Sequence, residues 1–542
     1  MLRGFTAISM LASATGKFNS ASNIPNRFEL KKNNTNRFQG QPIFNTALPG
    51  KEGMQIKNVT PKFQDTSPVA RRLDEGTTSS AIFGGTEDDF IESLTTNDNG
   101  ITCLVGETES FGNSKEAAFI TMINPDGTSM TQVIDGDGDD TVKSVITLSD
   151  NRFAFAGEAE TDSTSEQDVL IGFADESGIK KIISYGGSDD DSAATIVQLN
   201  TGDIVAAGDI WGTGEGLNDA LYIKTTNEGV LTKGIAVGAD NIDTIFSTHV
   251  TKAGNIIAVG TTSSYDKETR ILVHLLNANL ELKKSFTISG RINSDPYSLQ
   301  GFSVKETDNG NYVIAGISQW DESDSTPNMM ITIVTPEGVV KCMKSISGSK
   351  NSYLLGVIQT SPGNFLASGK AYVEDSTDAV FVKFTETCEI SSIDLIGGPR
   401  TDSFATLTQK PNGDIIAGGY SYSFSDTNSA LGEANAFIMQ YNPNNTIQCT
   451  AEGLTINIDY NGFTVQAMTP AVNTINPTVT PITDFTTTDV SELFAITKVD
   501  PTELSICTES NLLNVANTAK PGTEVLVLGT LSTLVTIYFK AS

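Results

Sequence analysis

Carboxylates are the commonest groups in this chain able to do chemistry. It holds 65 Asp and Glu against 35 Lys and Arg, with two histidines. Two acidic runs stand out, Asp135-Gly136-Asp137-Gly138-Asp139-Asp140 and Ser188-Asp189-Asp190-Asp191. Alternating aspartates can gather oxygen ligands around calcium. The first run, however, has Lys143 where a calcium loop would close on a carboxylate, and the alternation is not repeated elsewhere, so no metal site is expected. Asp89, Asp140, Asp191 and Asp402 instead recur at one place in a repeat, where a carboxylate can accept backbone N–H bonds and pin a turn. His249 and His274 fall on expected strands one and three of a single repeat and read as strand residues. No nucleophile elbow, zinc helix, phosphate loop or dinucleotide fingerprint is present, and no cofactor or catalytic residue is assigned. A carboxylate pair for glycoside chemistry is defined by separation in space and is invisible at this level. Exposed aromatics are the other candidate: Trp211 with Asp209, and Trp320 with Asp321, are expected in loops between second and third strands, able to line a protein or glycan surface.

The elements that must position these residues repeat. A pair Gly-x5-Gly occurs at Gly100/Gly106, Gly202/Gly208, Gly254/Gly260, Gly310/Gly316, Gly363/Gly369 and Gly413/Gly419, with Asn151/Gly157 in the second place of the series. Asn best tolerates a left-handed backbone after glycine, so a turn with positive φ is expected at the first position. A second landmark at Gly85, Gly136, Gly187, Gly238, Gly290, Gly348 and Gly398 precedes each pair, which marks a repeated supersecondary unit of about fifty residues. In the third copy, Ala193–Leu199, Asp203–Ala207, Ala220–Thr225 and Thr232–Val237 read as four strands. Four short strands per unit make a propeller blade, and seven units make an all-β, seven-bladed β-propeller. Because Ala81-Ile82-Phe83-Gly84-Gly85 resembles the ends of later fourth strands, the segment around Leu73 to Phe83 is expected to complete the last blade, whose other strands come from about 403–441.

The pattern Gly-Gly-x-x-x-Asp, then Gly-x5-Gly, then a strand ending near Asp-x-x-Gly resembles secreted bacterial propeller repeats of the delta-60 kind across about residues 80–448. Copies include Gly84-Gly85-Thr86-Glu87-Asp88-Asp89 and Gly186-Gly187-Ser188-Asp189-Asp190-Asp191, whereas the fourth to sixth copies have Ile242, Ser294 and Ser352 at the acidic position. The resemblance implies a fold and a frequent extracellular setting, and no activity.

Charge divides the chain. Residues 1–72 hold 11 Lys and Arg against 3 Asp and Glu, and the remainder 24 against 62, within a net charge of −30. So acidic a body repels nucleic acid and anionic lipid, and neither is an expected partner. Residues 1–14 resemble a short secretory signal and 15–72 a basic disordered or wrapping arm, with a mitochondrial transit peptide as the alternative. The expected location is therefore secreted or cell-surface. The propeller is assigned to 73–448. Five cysteines allow pairing among Cys342, Cys388, Cys449 and Cys507 without specifying it, while Cys103 reads as a buried strand residue. Residues 449–542 form a Thr-rich β extension, in which Asn461-Gly462 signals a hairpin. The apolar tail Val525–Phe539 reads as two strands, or as a membrane tether. Together these features point to a non-enzymatic extracytoplasmic scaffold binding a protein or glycan through its loops. The alternative is a propeller hydrolase or lyase using carboxylates in the central channel.

Overall fold

In the computed structural model, the described residues are 79–441 apart from 113–115, 137, 161–165, 188, 215, 266–267, 320–325, 349–350, 374–375 and 424–432, together with the backbone of strands between Thr455 and Ile537. The repeat appears as four-stranded antiparallel units. Unit three consists of Asp191–Gln198, Ile204–Trp211, Asn218–Thr225 and Leu231–Gly238, each paired with the next. Its second strand is buried along nearly its whole length, because units pack on both faces of it, and the sequence there is apolar rather than alternating. The first strands of the seven units are Asp89–Thr96, Asp140–Thr147, Asp191–Gln198, Asp243–Val250, Asp295–Glu306, Tyr353–Ser361 and Asp402–Gln409.

Both glycines of the pair have a physical cause. The first occupies a turn with positive φ in every unit: Gly100 78°, Gly202 90°, Gly254 76°, Gly310 76°, Gly363 76° and Gly413 92°, with Asn151 at 67°. The second faces a β-bulge. Every first strand shifts register at the same place, between Ile91 and Ser93, Val142 and Ser144, Ala193 and Thr195, and so on to Phe404 and Thr406. The bulge pushes a backbone carbonyl onto the facing strand, and a Cβ at Gly106, Gly157, Gly208, Gly260, Gly316, Gly369 or Gly419 would collide with it.

Ser79–Gly84 pairs with Asn435–Tyr441, Ile82 opposite Phe437, and so acts as fourth strand to the unit that begins at Asp402. Successive units share apolar clusters: Phe155 and Leu170 of unit two pack with Cys103 and Ile120 of unit one, and Phe365 and Val382 of unit six with Val313 and Ile331 of unit five. Another cluster joins Ile416 and Ile438 of unit seven to Ile91, Leu104 and Phe119 of unit one. First strands are also linked to one another by hydroxyls. The N–H of Val145 donates to Ser93 Oγ at 3.2 Å, Ile196 to Ser144 at 3.3 Å, Thr248 to Thr195 at 3.2 Å, Val304 to Ser247 at 3.2 Å and Val357 to Ser303 at 3.1 Å.

From Thr455 to Cys507 the described strands of the Thr-rich extension pack on the repeated units. They run back along the units in reverse order, adding one antiparallel strand to the outer edge of each. Thr455–Asn457 pairs on unit six, Thr464–Ala467 on unit five, Thr469–Thr474 on unit four and Thr478–Ile482 on unit three. Thr486–Asp489 follows on unit two, Ala495–Val499 on unit one and Thr502–Cys507 on Ser79–Gly84 of unit seven. The expected hairpin at Asn461-Gly462 is thereby corrected, since the segments on either side of it pair with different units. An open outer edge with free N–H and C=O groups offers each segment a ready ladder. In the tail, Val525–Val527 pairs with Val535–Ile537. No helix among the described residues is long and apolar enough to cross a membrane.

Candidate functional site

The turn aspartates lie where the first strand begins in units one to four and seven. Asp89 Oδ2 accepts the N–H of Gly85 at 2.9 Å, Asp140 that of Gly136 at 2.6 Å, Asp191 that of Gly187 at 2.9 Å and Asp402 that of Gly398 at 2.8 Å. Ser110 also donates to Asp89 and Ser423 to Asp402. Unit four uses Asp243, which accepts the N–H of Ala239 at 2.9 Å; one inserted residue displaces it from the position where the spacing had put Ile242. All five carboxylates are buried, and burial raises their pKa, to about 6 for Asp89 and about 8 for Asp140 and Asp191.

Trp211 ends the second strand of unit three, opposite Asn218, rather than standing in the following loop. Its N–H donates to the Asp190 carbonyl at 3.1 Å, which extends the strand by the residues expected to leave it. Asp209, two residues earlier, is buried and accepts Ser192 Oγ and Asn218 Nδ2, both at 2.8 Å, so its carboxylate serves the framework rather than a surface. Trp320 and Asp321 lie outside the described residues.

A polar group that spacing did not single out gathers where the bulges meet. The bulged residue is Glu92, Lys143, Ala194, Phe246, Phe302, Leu355 and Ala405 in units one to seven. The residue after the second glycine is Glu107, Glu158, Asp209, Thr261, Ile317, Lys370 and Tyr420. One side of this set is ionic: Lys143 Nζ is 2.7 Å from Glu158 Oε1, with both side chains almost fully buried, and Thr141 Oγ1 donates to Glu107. Burial, opposed by Lys143 and reinforced by Glu158, raises the pKa of Glu92. The other side is aromatic. Phe246 and Phe302 meet edge to face at 5.4 Å, and Lys370 Nζ lies 5.1 Å from the Tyr353 ring and 3.3 Å from Tyr420 Oη. Burial lowers the Lys370 pKa to about 8. The signal for this site was present as the non-repeating residue beside each invariant glycine.

His274 is buried and hydrogen-bonded through Nδ1 to Tyr222 Oη at 2.9 Å, and burial lowers its pKa to about 3. Among the described residues no group of three His, Cys, Asp or Glu side chains is placed to hold a metal ion. Cys342, on the outer strand of unit five, is disulfide-bonded to Cys388 in the turn between the third and fourth strands of unit six, their Cα atoms 5.9 Å apart. Cys103 is fully buried and unpaired with another cysteine.

No family model and no curated protein matches the chain. Solved structures that overlap it include Sqt1 from Chaetomium thermophilum, at 9% identity and a TM-score of 0.36, covering 67% of this chain and 98% of that one. The same protein bound to the N-terminus of ribosomal protein L10 overlaps at 9% identity and a TM-score of 0.35, covering 66% and 98%. A protein of unknown function from Dyadobacter fermentans overlaps at 10% identity and a TM-score of 0.36, covering 68% and 98%. None of these likenesses supports the expected secreted or cell-surface location, and that expectation is withdrawn. Residues 1–14, on which that expectation stood, lie outside the described residues.

Proposed function

We propose that the seven units are the blades of one β-propeller, spanning 73–448, and that the chain is a non-enzymatic scaffold binding a protein partner at the end of the units where second strands meet third. The resemblance of residues 80–448 to delta-60-like repeats belongs to the same reading. One observation carries it: whatever recurs in every unit, namely the bulge and its facing glycine, is consumed in fitting the first strand against the second within that unit, and the surface of that end is left to residues that do not recur. The test is an array of immobilised peptides and glycans probed with the full chain. Selective capture of peptides, weakened by Trp211→Ala, is the expected result, and turnover of any probe would replace the scaffold by an enzyme.

A second reading has its own support. Glu158 is ion-paired with Lys143 and Glu92 lies within the field of both, and a carboxyl that burial keeps partly protonated, as at Glu92, can act as a general acid in a hydrolase or lyase. Polysaccharide turnover abolished by both Glu92→Gln and Glu158→Gln would establish it.

A further inference from the structure

Unit three carries an exposed apolar side chain between two acidic turns. Leu217 is 59% exposed, one of the few large hydrophobic side chains so placed among the described residues, whereas Val230 and Val339 protrude from turns at the opposite end of their units. Its N–H donates to the Asn241 carbonyl at 3.2 Å, so the Leu217 segment abuts the turn that bears exposed Asp240. On its other side the same segment meets the turn bearing exposed Asp189 and Asp190: the Trp211 N–H reaches the Asp190 carbonyl, and a Cβ on Gly212 would run into the Asp189 carboxylate. Trp211 and Leu217 thus lie between two acidic turns. The charge of this stretch is one-sided, for residues 182–223 contain seven Asp and Glu and no Lys or Arg. Directly after the Asp189-Asp190 turn, Asp191 is 2% exposed, and its Oδ1 has no hydrogen-bond partner. The carboxylates around it are Asp168, Asp209 and Asp189.

Resting on the scaffold reading, we propose that this patch is a docking site for a basic peptide segment of a partner protein, with an aliphatic residue packed against Leu217 and Trp211 and flanking Lys or Arg residues facing Asp189, Asp190 and Asp240. Charge complementarity selects this occupant. An acidic or neutral apolar segment would leave the carboxylates facing their own kind, and a purely ionic ligand would leave Leu217 in water. Nucleic acid and anionic lipid are repelled by the same field.

The experiment titrates the full chain with a labelled ten-residue peptide alternating Lys and Leu, beside an all-Lys peptide of equal length, at low and high salt. Expected is saturable binding of the Lys/Leu peptide that weakens with salt and exceeds that of the all-Lys peptide. The triple variant D189N/D190N/D240N and the single variant Leu217→Ala should each weaken it by about fivefold to tenfold, in keeping with one or two lost contacts. Val339→Ala, at the other end, should change nothing. Equal binding of both peptides, binding unchanged in folded Leu217→Ala and the triple variant, or no binding by the wild type would each overturn the site. Failure of the scaffold reading is separately visible as turnover lost in Glu92→Gln, a residue outside the patch.

Discussion

At the scale of single residues, the two glycines of each pair serve different ends and fail differently. Gly202 has a φ of 90° and no atom within 4 Å of the place a Cβ would take, so Gly202→Ala incurs only the cost of a left-handed backbone, about 1 kcal/mol. Gly208 in the same unit faces the Ser192 carbonyl across the bulge, so Gly208→Ala must move backbone and should cost about 2–4 kcal/mol. Urea denaturation of the two variants should separate them in that order. The turn aspartates set a pH response. Asp140 and Asp191 have folded pKa values of about 8, above the ~4 of an unfolded chain, so the folded state holds more protons. Their contribution is complete below pH ~4 and is lost as pH rises through about 8. His249 and His274, both lowered to about 3 by burial, act in the opposite sense only below their unfolded value of ~6.5. Between pH ~6.5 and ~8, stability should therefore fall as pH rises. Asp191→Asn, which keeps an acceptor for Gly187, should flatten that slope in denaturation curves measured across the window.

At the scale of elements, the belt of short strands makes the most specific prediction. Among the described residues, Thr478–Ile482 pairs only with Leu231–Gly238, Val479 opposite Val237. A proline there removes one ladder donor and clashes with the pleat. Val479→Pro should raise amide hydrogen exchange along Leu231–Gly238 by roughly tenfold or more, while Gly178–Gly186 of unit two, paired with Thr486–Asp489, stays protected. Uniform loss of protection would show that the belt behaves as one cooperative piece. The hydroxyl links between first strands are smaller in effect. Ser144→Ala removes the acceptor of the Ile196 N–H and should cost about 1 kcal/mol.

At the scale of the whole molecule, the contacts that matter join units rather than build them. Ser79–Gly84 comes from the beginning of the described chain and completes the sheet of its last repeat, and the cluster of Ile91, Phe119 and Ile438 joins the same two ends. The Cys342–Cys388 bond spans 46 residues of sequence and joins the outer edge of unit five to a turn of unit six. Closing a loop of that length restricts the unfolded chain, so Cys342→Ser should lower stability by about 2–4 kcal/mol. Non-reducing peptide mapping should find the Cys342 and Cys388 peptides joined.

The repeat was legible in the sequence because its cause is local. Positive φ at Gly202 and its equivalents is met by glycine or, at Asn151, by asparagine, and a carbonyl pressed on Gly208 admits no side chain in any copy, so spacing alone located the strands of unit three to within a few residues. Asp191 and its equivalents were legible for the same reason, as each binds a backbone N–H only four residues away. What the tertiary structure decided involves partners far apart in the chain. Asp209 passed for a surface residue until Asn218 and Ser192 enclosed it, and Leu217 acquires acidic neighbours only because the turns at Asp189 and Asp240 flank it in space. The destination of the Thr-rich extension was equally hidden, since a short β-branched segment can pair with any open edge, and the seven edges exist only once the units have folded.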